Sequence, residues 1–183
     1  FLADLHIHTV LSGCAEVEMI PPLILKQAKR LGLNLIAITD HNEIEGTLEA
    51  CDNHPDMLVI PGIELSSREG PHILLYFYSA DELTDYFTTH IKGSLRKSQY
   101  MAIQLSVEQI LSSSENYSCV TVAAHPFGYF GINRGILKCI ENKTLPPEII
   151  DRIDGIEVIC GGMSQDLNDK ATKYAGEHDL PIT

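Results

Sequence analysis

Short apolar runs recur along the chain and read as strands buried on both faces. They occupy residues 2–8, 35–39, 58–63, 73–78, 120–124 and 155–159, and a seventh begins at 180–183, where the sequence stops. Between most of them the apolar positions shift to helical spacing. Residues 22–31 carry Pro22 at their start and have Gly32 just past their end, the asymmetry expected of a helix. Residues 43–51 read as a second, shorter helix. Ser164 is placed to cap a third, on which Leu167, Ala171, Tyr174 and Ala175 recur. Strands alternating with helices predict an α/β fold with a largely parallel sheet. Residues 80–118 break the alternation. Segments 81–90, 91–105 and 106–113 look helical or irregular, and the stretch reads either as a helical insertion flanking a site or as a solvated connection. No internal repeat or interdomain linker is evident, so residues 1–183 are expected to form a single domain.

A chain of 183 residues with 44% hydrophobic content can build one real core. Lysine and arginine number 13 against 25 acidic residues, a net charge of −12. A field of that sign repels polyanions and argues against extended duplex nucleic acid as a partner. It allows a small phosphorylated substrate or a short nucleic-acid end, because bound cations reverse the local sign. The five cysteines are odd in number and form no Cys-x-x-Cys pair, which predicts a reducing, cytoplasmic setting rather than a disulfide scaffold. No apolar run reaches membrane-spanning length, and Asp4 and His6 stand where a leader peptide needs apolar residues. The chain opens on Phe1, so a short preceding piece is expected.

The polar residues that carry chemistry sit at strand ends. His6 and His8 end the first strand, Asp40 and His41 the second, Glu64 the third and His125 the fifth. In β/α barrels, side chains from the carboxyl ends of several strands converge on the active face. His72 opens its strand instead, and needs a different local path to the same place. Alternate strand residues share a face, so the His6-Ile7-His8 spacing lets both imidazoles reach one ion while Ile7 packs away from it. Imidazole nitrogen with carboxylate oxygen suits Zn, Mn, Fe or Ni. Glu64 has two oxygens and can bridge two ions, which at about 3.5–4 Å apart can hold a phosphate and activate water. A single histidine at a strand end is ordinarily a hydrogen-bonded residue with no ligand. Five such histidines and a glutamate, mostly at one end of an alternating fold, are harder to explain that way. His54, His90 and His178 lie in polar or helical contexts and read as structural. Asp4 and Asp40 are placed to fix neighbouring imidazoles.

Five motifs in order resemble the PHP (polymerase and histidinol phosphatase) family. They are Asp4-Leu5-His6-Ile7-His8-Thr9, Ile38-Thr39-Asp40-His41-Asn42, Gly62-Ile63-Glu64-Leu65-Ser66, Pro71-His72-Ile73 and Ala124-His125-Pro126. The resemblance implies a distorted (β/α)7 TIM-like barrel, its last strand or strands cut off by the end of this sequence. It also implies two or three divalent ions (Zn, Mn or Fe). By resemblance His6, His8 and Glu64 hold the first ion, Glu64 bridges to a second held by His72 and His125, and His41 binds a third. The third motif looks most like that of the family's stand-alone phosphoesterases, which hydrolyse phosphate esters with metal-activated water. On that reading Glu64, His41 and Asp40 serve catalysis, and Arg134 binds a second phosphate, with Arg68 and Lys138 as weaker candidates.

Two departures qualify the resemblance. Many members place an Asp or His shortly after the second His, where this chain has Gly13 and Cys14. Cys14 can ligate as a thiolate, which favours zinc or iron over manganese, or can be a plain loop residue; Glu16 and Glu18 are fallback ligands. The family's final Asp-x-His motif would fall just beyond Thr183, and the stop inside an apparent strand suggests a fragment. Rival readings are an exonuclease or proofreading-type module, a degenerate metal- or nucleotide-binding regulatory domain, and an amide or ester hydrolase.

Overall fold

The computed structural model describes residues 1–52, 57–98, 101–128 and 135–183. In chain order these form β1 (Ala3–Ile7), α1 (Pro21–Leu31), β2 (Leu35–Ile38), α2 (Glu45–Asp52), β3 (Leu58–Ser66), β4 (His72–Phe77), α3 (Ala80–Tyr86), α4 (Val107–Ser114), β5 (Cys119–Ala123), α5 (Ile136–Glu141), β6 (Gly155–Ile156) and α6 (Gln165–His178). The strands make one six-stranded sheet in sequence order. Each strand predicted from an apolar run is present, and the start of a seventh is visible where Ile182 bridges Ile156 in parallel.

The sheet is mixed rather than largely parallel. Pairs β1–β2, β2–β3 and β5–β6 are parallel, whereas β4 runs antiparallel to both β3 and β5. The reason is chain length. β3 continues to Ser66 and β4 begins at His72, and the short connection between them cannot hold the crossover a parallel pair needs. Reversing β4 turns its first residue toward the carboxyl ends of its parallel neighbours. That reversal is the local path by which His72 reaches the shared end.

Side-chain alternation sorts the strands into two faces. Ile36 and Ile38 of β2 pack outward with Ile24, Leu25 and Ala28 of α1. Ile73, Leu75 and Phe77 of β4 join the large core under α3 and α4. The opposite parity, Ala37, Leu74, Tyr76, Val122 and Ala124, faces inward. The Tyr76 hydroxyl crosses that interior to donate to the Leu5 carbonyl at 2.9 Å. A bond from β4 to β1 requires the sheet to curl, as in part of a TIM-like barrel.

The described residues between 80 and 118 contribute to the core. Leu83, Tyr86, Ile91, Ile103, Val107 and Ile110 lie in the main core. α3 continues as a π-helical turn over Phe87–Ile91 and a 3-10 turn over Lys92–Ser94. The chain then passes the ends of β2 and β3, where Ile103 donates its amide to the Ser66 carbonyl and the Asn42 side chain donates to the Met101 carbonyl. Ser106 and Gln109 then close a reciprocal cap on α4. No helix among the described residues is long and apolar enough to cross a membrane.

Candidate functional site

Glu64 is fully buried and lies opposite Leu74 in the β3–β4 ladder, on the inward parity of the sheet. Its Oε1 is 3.0 Å from His72 Nδ1 and 3.1 Å from His125 Nε2. Its Oε2 is 3.3 Å from His6 Nε2, 3.2 Å from His8 Nε2 and 2.9 Å from His41 Nδ1. Five imidazoles from three strand ends and the turn after β2 thus surround one carboxylate. The structure brings together every histidine singled out from the strand-end pattern, His72 included.

Several atoms in this cluster are poorly served by hydrogen bonding. Glu64 Oε2 and His41 Nδ1 are buried without hydrogen-bond geometry, a costly state for polar atoms unless a ligand completes them. The Nε2 atoms of His6 and His8 lie 3.1 Å apart, and both address the same carboxylate oxygen. Converging nitrogen and oxygen lone pairs of this kind fit a divalent cation of the borderline class. The donor atoms of His6, His8 and Glu64, and those of His41, Glu64 and His72, each lie within 4.8 Å of one another.

A third such group joins His8, Cys14 and His41. Gly13 makes it reachable: its φ of 70°, in the left-handed region, turns the chain after the 3-10 turn Val10–Ser12. Ser12 stitches this corner together. Its Oγ accepts the His41 amide at 3.0 Å and lies 3.0 Å from His8 Nδ1. Glu16 and Glu18 are exposed and stand outside these groupings.

The charges follow from the crowding. Burial alone would push Glu64 up, yet the imidazoles of His6, His41 and His72 hold it well below the usual carboxylate range. Burial opposes the charged forms of His6 and His41, but Glu64 overcomes it, so His6 is raised well above its ordinary value and His41 to about 10. For His8 and His72 burial prevails and both are lowered. Burial works against a Cys14 thiolate, while the neighbouring His41 and Ser12 pull the thiol below its ordinary value.

Asp40 is buried beside this cluster, and both its oxygens are taken by Thr9, whose amide and hydroxyl each donate at 2.6 Å. It clamps the chain just after His8. Asp4 accepts the His6 amide at 3.4 Å. Arg68 and Lys138 are exposed and pair with Glu69 and Glu141. His90 packs against Tyr86 and Tyr117, and His178 against Tyr174. Arg134 and His54 lie outside the described residues.

Two participants are absent from the strand-end pattern: Ser12 and Glu157. Glu157 follows β6 and is buried; its Oε1 lies 2.9 Å from His6 Nδ1, and its Oε2 accepts the His125 amide at 2.6 Å. The signal for it was a lone acid inside the apolar run Gly155-Ile156-Glu157-Val158-Ile159, the same kind of interruption that marks Glu64.

No family model matches the chain. An uncharacterized protein of Methanocaldococcus jannaschii is 38% identical over 84 residues, 40% of this chain and 49% of that protein, so the match spans about half of the relative's length. Solved structures share the fold across nearly all of this chain. A protein of Bifidobacterium adolescentis provisionally assigned as a metal-dependent phosphoesterase superposes with a TM-score of 0.68 at 20% identity, over 99% of this chain and 85% of that one. An amidohydrolase of Chromobacterium violaceum, solved with sulfate and no metal, gives 0.70 at 19% identity, over 100% and 85%. The lesion-specific endonuclease Q of Pyrococcus furiosus gives 0.76 at 22% identity, over 98% of this chain and 46% of that one.

Proposed function

We propose that this chain is the metal-holding barrel of a PHP-type hydrolase that cleaves phosphate esters, with two or three divalent ions as its cofactors. The observation that carries the reading is one buried carboxylate addressed on both oxygens by ring nitrogens of five histidines. His6, His8 and Glu64 Oε2 would hold one ion, and Glu64 Oε1, His72 and His125 a second. His41 and Cys14 would hold a third. When bound, such ions lower the pKa of water and offset charge on a transferring phosphoryl group. Glu64 would serve the first two ions at once, since one of its oxygens faces each set of histidines. Asp40 acts through Thr9, by holding the turn after His8, rather than on the reacting atoms. Met101 accepts from the Asn42 side chain, next in sequence to His41, which supports the reading of residues 80–118 as an insertion flanking the site. The fold shared with a provisionally assigned metal-dependent phosphoesterase and with an endonuclease supports phosphate chemistry. The amidohydrolase neighbour keeps amides in the substrate panel.

Elemental mass spectrometry on protein purified without chelator is expected to find two or three equivalents of Zn, Mn or Fe per chain. Hydrolysis of phosphate mono- or diesters should follow on a panel that includes a short 5′-phosphorylated oligonucleotide and simple amides. Protein that is metal-free and takes up no added ion would overturn the reading. A second reading, action on nucleic-acid ends or lesions, draws on the likeness to endonuclease Q, of which this chain covers under half. The net charge of −12 weighs against long strand contacts within this chain.

Cys14 sets the metal preference. A thiolate favours zinc, iron or cobalt over manganese. Cobalt-loaded wild type should show a thiolate-to-cobalt charge-transfer band that Cys14→Ser lacks, with loss of one bound equivalent. Identical spectra and metal content in the two proteins would make Cys14 a loop residue.

A further inference from the structure

We infer that Glu157 is a positioning residue that fixes the His6 ring and the His125 backbone for the metal centre; the inference rests on the metal-centre reading above. Neither the strand-end pattern nor the ordered motifs pointed to it. Its carboxylate is buried just past β6, and among the described residues it bonds to two elements at once. Oε1 lies 2.9 Å from His6 Nδ1, on β1, and Oε2 accepts the backbone N–H of His125, just past β5, at 2.6 Å.

Each bond has a distinct consequence. A carboxylate that accepts from Nδ1 keeps the ring proton there and leaves Nε2 with a free lone pair. His6 Nε2 is the atom that faces Glu64 and His8. Outer carboxylates that orient ligating imidazoles in this way commonly govern metal affinity. His125 has a φ of 29°, a left-handed backbone unusual for a residue with a side chain. Such a conformation persists only where its surroundings hold it, and a charge-assisted bond to its own amide is a direct restraint. Glu157 also links β6 to β1, the two edges of the sheet order, on the side where the histidines gather.

Glu157→Gln separates this role from simple packing. The amide has the same shape but one acceptor oxygen, and the His125 N–H cannot change its character. The imidazole can. The carbonyl oxygen of the introduced glutamine is therefore expected to stay on the His125 amide and its NH2 to donate to His6 Nδ1, which moves the ring proton to Nε2. Long-range 1H–15N correlation on the metal-free full chain, at alkaline pH where the ring is neutral, reads this directly. Wild type should carry the His6 proton on Nδ1, and Glu157→Gln on Nε2. Zinc affinity should fall by roughly 10–100-fold, with a thermal midpoint near that of wild type.

A wild-type His6 protonated on Nε2 overturns the inference, and that spectrum alone suffices if the variant does not fold. So does a variant with unchanged tautomer and unchanged zinc affinity. Wild type that shows the expected tautomer but binds no zinc overturns the metal-centre reading and leaves the hydrogen-bond assignment standing, so the two failures are distinguishable.

Discussion

Glu64→Gln should abolish phosphoester turnover, with a fall beyond the roughly 10²–10³-fold that loss of one transition-state contact costs. The reason is the double engagement of this side chain. Oε1 faces His72 and His125, and Oε2 faces His6, His8 and His41. Glutamine keeps the shape and removes the charge. Its NH2 must point at one of the two histidine sets, where it offers a proton to a place that needs a lone pair. At least one ion should be lost along with the activity, and elemental analysis on the same preparation should show it. The variant should remain folded, since the substitution is isosteric and β3 is held by ladders on both sides. A folded Glu64→Gln protein with normal metal content and normal turnover would sink the bridging assignment.

The largest expected effect on stability is at Gly135. This residue precedes α5, and a β-carbon there would collide with the Pro126 carbonyl group and the His125 oxygen. These are backbone atoms, so no side chain can swing aside. The Pro126 carbonyl is also needed in place, because it accepts from the amides of Leu137 and Lys138 at the start of α5. Gly135→Ala should destabilise the chain by about 3 kcal/mol or more, at or above the upper end of ordinary overpacking, and should disturb metal binding through His125. Gly176 is the contrast. It is helical and exposed, with open space around it, so Gly176→Ala should stabilise by a few tenths to about 1 kcal/mol. Urea denaturation of the two variants checks both signs together. A Gly135→Ala protein as stable as wild type would show that the α5 start can shift away from Pro126 at little cost.

Much of this site was legible in the chain. Period-two spacing placed His6 and His8 on one face, and apolar runs ending in His41, Glu64 and His125 marked strand ends. Those signals are local and survive without the fold. The direction of β4 was not legible, because the apolar run that marks β3 breaks off at Ile63. The strand itself continues through Glu64, Leu65 and Ser66, since a buried acid does not interrupt a strand when partners for it arrive from elsewhere. Residues 80–118 were ambiguous for a related reason. Leu83, Tyr86 and Ile91 lie on short helical pieces and Ile103 on irregular chain, and their burial is decided by what they pack on rather than by any period.

Sequence alone determined the order of the apolar strands and the identity of the gathered histidines, because propensity and side-chain parity act over a few residues. Tertiary structure decided the reversal of β4, which brings His72 beside Glu64, and the curl that sets Glu157 against His6 across 151 positions of chain. Contacts of that range depend on strand direction and sheet closure, and neither leaves a local imprint on the residues that meet.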